Sequence, residues 1–191
     1  MALSVPLALA AANAHATLFM YEAFLDGPSE NPPNASPGTG FATVNYDDVA
    51  HSLSLNLTFS GLLGTTTASH IHAATALPGT GAAGVATTTP YFAGFPIGVT
   101  SGTYVNTLDL TQASSYNASY ITANGGTTAG AEAALAAAMA ADKAYLNIHT
   151  TVVPGGEIRG FLVAVPEPNT LLLLGSGLAG LAAVGARRLR V

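Results

Sequence analysis

Residues 51–59, HSLSLNLTF, alternate strictly between polar and apolar side chains and decide the fold class. One face of an extended chain here would carry three leucines and Phe59, and the other would carry hydroxyl and amide side chains. A period of two predicts a strand with one face on a core and the other in water. That arrangement is typical of antiparallel sheets, so the stretch favours an all-β fold.

Shorter strand-like stretches lie on both sides of residues 51–59. They cover residues 18–25, 41–46, 67–73, 103–108, 144–150 and 157–163. The turn Pro154-Gly155-Gly156 predicts that the last two of these strands form a hairpin. Many short strands joined by Gly- and Pro-containing turns predict an antiparallel β-sandwich.

A helical insertion interrupts these strands. Residues 131–141 are alanine-rich, and alanine is the best helix former. Because Leu135 and Met139 are the only large apolar residues of this segment, we expect the helix to pack loosely on the sheet edge. Residues 113–121 predict a second, shorter helix.

Three histidines fall on the predicted strands. His70 and His72 are two residues apart, so their side chains share one face of a strand. An internal similarity links them to His149, because Ile71-His72 and Ile148-His149 both precede a Pro-Gly turn. Two such equivalent strands could pair in one sheet and bring the three imidazoles together.

The histidines are open to two interpretations. With Glu157 on the next strand, His70, His72 and His149 would suffice to bind zinc or copper, both of which favour nitrogen ligands. The simpler interpretation is a buried hydrogen-bonded network that needs no metal, in which Glu157 pairs with Arg159 or with a histidine. His51 begins a strand, and we expect it to be solvated.

The composition excludes several function classes. Residues 17–165 contain nine acidic and two basic side chains, hence a formal charge of −7, which is unsuitable for binding nucleic acid. The absence of cysteine excludes disulfides and thiolate catalysis. The sequence contains no nucleophile elbow, Walker loop or dinucleotide fingerprint, and we expect no enzymatic activity.

Both ends of the sequence read as targeting segments. Residues 1–16 are apolar and end in Ala14-His15-Ala16, which predicts a signal peptide cleaved after Ala16. Residues 170–186 carry no charge and are just long enough for a transmembrane helix. Arg187, Arg188 and Arg190 follow directly and would stay cytoplasmic, so we expect a transient anchor in the inner membrane.

Residues 165–191 resemble the PEP-CTERM sorting signal of Gram-negative bacteria. The resemblance rests on Pro166-Glu167-Pro168, the apolar run and the arginine-rich end, which occur in the order of that signal. It implies recognition by an exosortase, cleavage near the Pro-Glu-Pro triplet, and delivery to the cell surface or the extracellular matrix. The apolar helix would then be absent from the mature protein.

The body of the chain, residues 17–164, is similar to the CHRD domain. The motifs that carry the resemblance are Glu30-Asn31-Pro32-Pro33, Thr58-Phe59-Ser60-Gly61-Leu62, His70-Ile71-His72 and Asn147-Ile148-His149-Thr150 with Pro154-Gly155-Gly156-Glu157-Ile158-Arg159-Gly160. One departure is that residues 73–77 separate the His-x-His strand from the turn that the family places soon after it.

The CHRD resemblance implies an extracellular binding or structural module without established enzymatic activity. We therefore expect a non-enzymatic matrix, biofilm or adhesion component, with extracellular polysaccharide or surface proteins as partners. The alternative function is a copper- or zinc-binding domain that uses His70, His72 and His149. The His-x-His strand also resembles the copper strand of Cu/Zn superoxide dismutases, an analogy that makes a dismutase-like sandwich and a weak redox activity the third hypothesis.

Overall fold

The computed structural model describes residues 18–166. The signal segment 1–16 and the apolar segment 170–186 lie outside the described residues, so the structure bears on neither prediction. Within residues 18–166, no helix combines the length and the apolar character that a membrane span requires.

Eight strands and two helices make up the described chain. The strands are β1 (Leu18–Asp26), β2 (Thr39–Asp47), β3 (Ser52–Ser60), β4 (Thr66–His72), β5 (Gly102–Asp109), β6 (Tyr145–Thr150), β7 (Ile158–Phe161) and β8 (Val163–Ala164). The helices are α1 (Ala118–Ala123) and α2 (Thr128–Ala140), and a 3₁₀ turn (Ala113–Ser115) precedes α1. The predicted all-β class is confirmed, and each predicted strand is present within a few residues of its expected ends.

The strands form one curled antiparallel sheet in the order β4-β6-β7-β1-β2-β3-β5. The prediction of two separate sheets in a sandwich is therefore corrected. The two halves of the sheet stay connected because β1 pairs with β2 along its whole length and also with β7, through Asp26 and Arg159. The short β8 pairs with the other end of β1, where Tyr21 faces Ala164.

Gly160 of β7 allows the close approach between β7 and β1. A Cβ atom at this position would collide with the Phe24 carbonyl and would lie 3.2 Å from the Leu25 nitrogen. Both of these atoms belong to the backbone, which cannot move aside as a side chain could. The absence of a side chain at Gly160 therefore allows β7 and β1, and with them the two halves of the sheet, to lie close together.

The alternation of residues 51–59 defines the core as predicted. Leu53, Leu55, Leu57 and Phe59 are all buried, while Asn56, Thr58 and Ser60 on the opposite face of β3 are exposed. This inner face belongs to a single hydrophobic cluster that extends over both halves of the sheet.

Helix α2 packs more tightly than predicted. Leu135 and Met139 are fully buried, and they join the same hydrophobic cluster as the leucines of β3. The expectation of loose packing was wrong because small alanine side chains let the helix backbone approach its neighbours, so two large residues suffice. The helix begins at Thr128, where the Thr127 side chain accepts a hydrogen bond from the Gly130 nitrogen as an N-cap.

Candidate metal centre

The pairing of β4 with β6 brings the three histidines together. His70 lies opposite Asn147, and Ala68 lies opposite His149. Because side chains alternate along each strand, His70, His72 and His149 project from the same face of this pair. The sequence prediction that two histidine-bearing strands pair in one sheet is confirmed.

The imidazole rings lie in mutual contact. The Nδ1 atom of His70 is 3.1 Å from the Nε2 atom of His72. The centroid of the His70 ring is 4.9 Å from that of His72 and 4.8 Å from that of His149. One ring nitrogen from each histidine can be chosen so that all three lie within 4.8 Å of one another.

Backbone carbonyls fix which nitrogen of two histidines carries the proton. His72 Nδ1 is 2.8 Å from the Ala83 carbonyl oxygen, and His149 Nδ1 is 2.8 Å from the Pro154 carbonyl oxygen. A carbonyl only accepts, so each Nδ1 must be the donor and each Nε2 of the neutral ring keeps its lone pair. Such outer hydrogen bonds are the usual way in which proteins orient histidine ligands toward a metal.

One buried acceptor beside the rings has no partner. The Nε2 atom of His149 is inaccessible to solvent and makes no hydrogen bond within the described chain. Asn147, directly opposite His70 in the sheet, interacts with the His70 and His72 rings and acts to raise the pKa of both. The cluster therefore presents a lone pair on His149 that needs a donor or a cation.

Burial keeps the three histidines neutral. Burial first, and then the neighbouring His72 and His149 rings, lower the pKa of His70 to about 3. Burial also lowers the pKa of His72 and of His149, although the Ala83 and Pro154 carbonyls act in the opposite direction. Neutral imidazole is the form that binds a metal ion, so no proton has to be removed from the cluster as a whole.

A stack of side chains backs the cluster. The Tyr145 ring lies parallel to the His72 ring with centroids 4.7 Å apart, and the Arg159 guanidinium carbon lies 4.7 Å from the centroid of Tyr145 on β6. The guanidinium donates to the carbonyl oxygens of Ser29 and Gly81. Its positive charge is therefore separated from the histidines by an aromatic ring.

The structure places Glu157 outside the cluster. Its carboxylate accepts hydrogen bonds from the Ser36 and Thr150 hydroxyls at 2.6 and 2.5 Å and from the Leu63 and Gly64 nitrogens at 2.6 and 3.2 Å. Burial alone would raise the pKa of this carboxyl, but the four hydrogen bonds together hold it below its usual value. Glu157 thus ties three segments of the chain together, and its oxygens are already occupied.

The expected pairing of Glu157 with Arg159 is also absent from the described chain. Arg159 instead lies 3.8 Å from a carboxylate oxygen of Glu30, and both side chains are buried. The sequence could not show this pair because Glu30 precedes Arg159 by most of the chain. Burial raises the pKa of Glu30, while the Asn31 amide and the Arg159 charge lower it.

His51 is exposed, as the sequence predicted, but its ring also contacts an acidic side chain. Its Nδ1 atom lies 3.0 Å from both carboxylate oxygens of Glu132 on α2, and Glu132 also accepts a hydrogen bond from the Tyr46 hydroxyl. The hydrogen bond and the charge of Glu132 raise the pKa of His51. This ion pair fixes α2 to the start of β3 and lies apart from the three-histidine cluster.

The cluster has the composition and spacing of a three-histidine metal site. Two nitrogens bound to one zinc ion at Zn–N distances of about 2.0–2.1 Å and a tetrahedral angle are separated by about 3.4 Å. The 3.1 Å between His70 Nδ1 and His72 Nε2 is close to this spacing, and one ring nitrogen of His149 lies within 4.8 Å of both of the other rings' nitrogens. Three protein ligands leave a fourth position open, which is characteristic of catalytic or exchangeable sites rather than closed structural ones.

The sorting residues fall mostly outside the structure. Pro166 is the last described residue, and Glu167, Pro168, Arg187, Arg188 and Arg190 lie beyond it.

Comparisons with known families identify both parts of the chain. The family model of the CHRD domain matches residues 21–162, and that of the PEP-CTERM protein-sorting motif matches residues 164–188. Searches of curated proteins and of solved structures give no significant match.

Proposed function

The chain belongs to the CHRD domain family and carries a PEP-CTERM sorting motif, and from this premise we propose that its exported domain binds one zinc or copper ion through His70, His72 and His149. The PEP-CTERM motif implies an exported, surface-directed protein and is consistent with processing by an exosortase. The metal site is the specific activity that the geometry of the domain supports best.

The unpartnered Nε2 atom of His149 is the observation that carries the proposal. A purely structural network would be expected to satisfy this atom, because a buried acceptor without a partner costs about 1–3 kcal/mol. A metal ion would satisfy it together with the lone pairs of His70 and His72. The Ala83 and Pro154 carbonyls hold two of the rings with the proton on Nδ1 and the lone pair on Nε2, which supports the same interpretation.

Metal binding requires a single change of protonation within the cluster. His70 Nδ1 donates to His72 Nε2 across 3.1 Å, because His72 keeps its own proton on Nδ1. For His70 Nδ1 and His72 Nε2 both to hold a metal ion, the His70 proton would have to be on Nε2 instead. The neutral ring only changes tautomer, so binding releases little or no net proton near neutral pH.

Zinc and copper are both compatible with the ligand set. Neutral imidazole suits either ion, and the cluster offers no thiolate or carboxylate that would favour one of them. The bound metal would supply Lewis acidity at a position that the three histidines leave open.

Metal analysis of the purified chain tests this proposal. After incubation with zinc or copper and removal of the excess, we expect about one ion per chain. The variant with His70→Ala and His72→Ala should lose this ion, while His51→Ala, which removes a histidine outside the cluster, should retain it. Fewer than about 0.1 ion per wild-type chain would rule the proposal out.

A second candidate function is a non-enzymatic component of the matrix or an adhesin. The observation that favours it is the outer surface of β2, β3 and β5, which presents mainly hydroxyl and amide side chains and no lysine or arginine. A strain that lacks the chain should lose matrix cohesion, and a chain without His70 and His72 should restore it. If restoration requires the histidines, the metal site is the essential feature and the separate matrix role is refuted.

A dismutase-like redox activity is the third hypothesis, and it depends on copper. The His-x-His strand beside a third histidine is the feature that supports it. Superoxide dismutation by the copper-loaded chain, lost on His70→Ala, would establish it; a copper-loaded but inactive chain would exclude it.

A further inference from the structure

One open cleft lies on a different part of the sheet from the histidines, on the surface that faces away from the core. We define the aromatic cleft by Phe24 of β1, Thr39 and Phe41 of β2, Thr58 and Ser60 of β3, and Thr103 of β5, which line an open depression of about 560 Å³. This volume falls within the range of about 300–1,000 Å³ that is typical of ligand sites.

The sheet register builds the aromatic cleft as a row across four strands. Phe24 faces Phe41 on β2, Phe41 faces Thr58 on β3, and Thr58 faces Thr103 on β5. Directly opposed residues in an antiparallel sheet have neighbouring side chains. The row therefore forms a continuous strip with two aromatic rings at one end and hydroxyl groups at the other.

The two phenylalanines are unusual for a solvent-facing surface. Phe24 is 74% exposed, and its ring centroid lies 4.8 Å from that of Phe41. A large apolar side chain left in water contributes little to folding, because its transfer energy is gained only on burial. Exposed paired rings are instead suited to stack against a ligand with an apolar face.

The hydroxyl groups of the cleft are free to bind. Within residues 18–166, the side chains of Thr39, Thr58, Ser60 and Thr103 make no hydrogen bond to protein. Farther along the same face, by contrast, Ser54 and Thr107 bond to each other at 2.9 Å. The unpaired hydroxyls thus occur beside the aromatic rings, where a ligand could use both.

Charge limits the class of ligand. The two basic residues of the described chain are Lys143, next to the end of α2, and Arg159, which is buried and bonded to backbone carbonyls. Neither lies in the aromatic cleft, and the acidic Glu22 is two residues from Phe24 on the same face of β1. A polyanion would be repelled there, whereas an uncharged ligand with many hydroxyl groups would not.

We propose that the aromatic cleft binds a neutral polysaccharide, with the phenylalanine rings against the C–H face of a sugar and the threonine and serine hydroxyls bonded to its hydroxyl groups. The inference rests on the second candidate function and gives that matrix role a partner class and a site. It is independent of the metal site, which lies on the β4–β6 part of the sheet.

Affinity electrophoresis of the full chain through gels that contain a polysaccharide tests the proposal. The probes are dextran and hydroxyethyl cellulose as neutral polymers and alginate as the anionic one. We expect retardation by at least one neutral polymer and none by alginate. Phe24→Ala should weaken binding about tenfold or more, and Thr58→Val should weaken it less.

Val105→Ala is the matched control. Val105 is 75% exposed on the same side of the sheet but does not line the cleft, so its loss should leave retardation unchanged. The circular dichroism spectrum and the thermal unfolding midpoint of Phe24→Ala should match those of the wild type, which shows that the variant is folded.

Three results would overturn the proposal. The first is no retardation by either neutral polymer, and the second is equal retardation of Phe24→Ala and wild type. The third is a concentration-dependent dimer that Phe24→Ala abolishes, because the cleft would then be covered by a second copy of the chain. A further experiment separates the cleft from the matrix role. If the Phe24→Ala variant restores matrix cohesion to the deletion strain, the matrix role stands, but the aromatic cleft does not contribute to it.

Discussion

Glu157 illustrates how one buried side chain can organise several segments. The residue is fully buried, and its two oxygens accept hydrogen bonds from the loop around Ser36, from the backbone at residues 63–64, and from Thr150 of β6. A carboxylate can accept all of these bonds at once because both of its oxygens are acceptors. Its role is therefore to join loops to the sheet that carries the histidines.

Glu157→Gln should destabilise the domain although it preserves the shape of the side chain. The new amide NH₂ group cannot accept the hydrogen bonds that the carboxylate oxygen accepted. Each buried donor left without a partner lowers the free energy of unfolding by about 1–3 kcal/mol. Chemical denaturation measures the change. Glu22→Gln, at a half-buried position on the outer face of β1, should change stability by less than about 0.5 kcal/mol; equal effects of the two variants would contradict the assigned role.

The His51–Glu132 pair should make stability depend on pH. Because the pKa of His51 is raised in the folded state, the ion pair contributes its full stabilisation below about pH 6.5, which is the pKa expected for this histidine in the unfolded chain. The contribution is lost as the pH rises through the higher folded pKa. His51→Gln should therefore be less stable than wild type near pH 6, and the difference should shrink at pH 8 to 9.

Denaturation midpoints of the two proteins across this range test the expectation. The difference between them isolates His51, because the other histidines titrate alike in both. If the difference in denaturation midpoint stays constant or widens with rising pH, the ion pair does not stabilise the protein in this pH-dependent way.

The histidine cluster could be predicted from residue spacing, but its environment could not. Two histidines on one strand and a third in a similar local pattern were enough to predict that His70, His72 and His149 lie together. The carbonyls of Ala83 and Pro154, which set the tautomers, are backbone groups that every residue possesses, so no side chain marks them. Glu157 was misplaced as a ligand because spacing along a strand does not show which neighbouring loops will supply its donors.

At the scale of the elements, the junction between β1 and β7 depends on one glycine. Gly160→Ala should force β7 away from the Phe24 carbonyl and destabilise the protein by about 1–3 kcal/mol, the usual cost of overpacking. Gly155→Ala is the matched control, since a Cβ atom there meets nothing within 4 Å and should change stability by less than about 0.5 kcal/mol. Thermal unfolding of both variants tests this prediction. Equal losses of stability in the two variants would contradict it.

The elements themselves follow closely from local patterns. Residues 51–59 became β3 (Ser52–Ser60), because strict alternation leaves no other way to bury four apolar side chains together. The stretch 157–163 became the separate strands β7 and β8, since each pairs with a different part of β1. Which strands pair depends on residues that are distant in sequence. The local sequence pattern therefore could not predict that the strands form a single curled sheet.

At the scale of the whole molecule, the C-terminal segment determines where the domain is delivered. Replacing Glu167 with alanine should impair recognition of the Pro-Glu-Pro triplet, so the chain should stay in the inner-membrane fraction instead of reaching the surface. Cell fractionation and immunoblotting measure this distribution. Glu22→Gln, which changes an acid of the folded domain with little expected effect on stability, should leave sorting intact. Normal surface delivery of the Glu167 variant would contradict the assignment.

The pairing of β8 with β1 also has a mechanical consequence. Leu18 and Pro166 emerge from neighbouring antiparallel strands at the same end of the molecule, where the Val165 nitrogen donates to the Met20 carbonyl oxygen at 2.8 Å. Tension applied between the two termini would peel these strands apart one hydrogen bond at a time, and would not load all the bonds in shear. A chain held at both ends would yield first at β8, with the hydrophobic core and the histidine cluster still folded behind it.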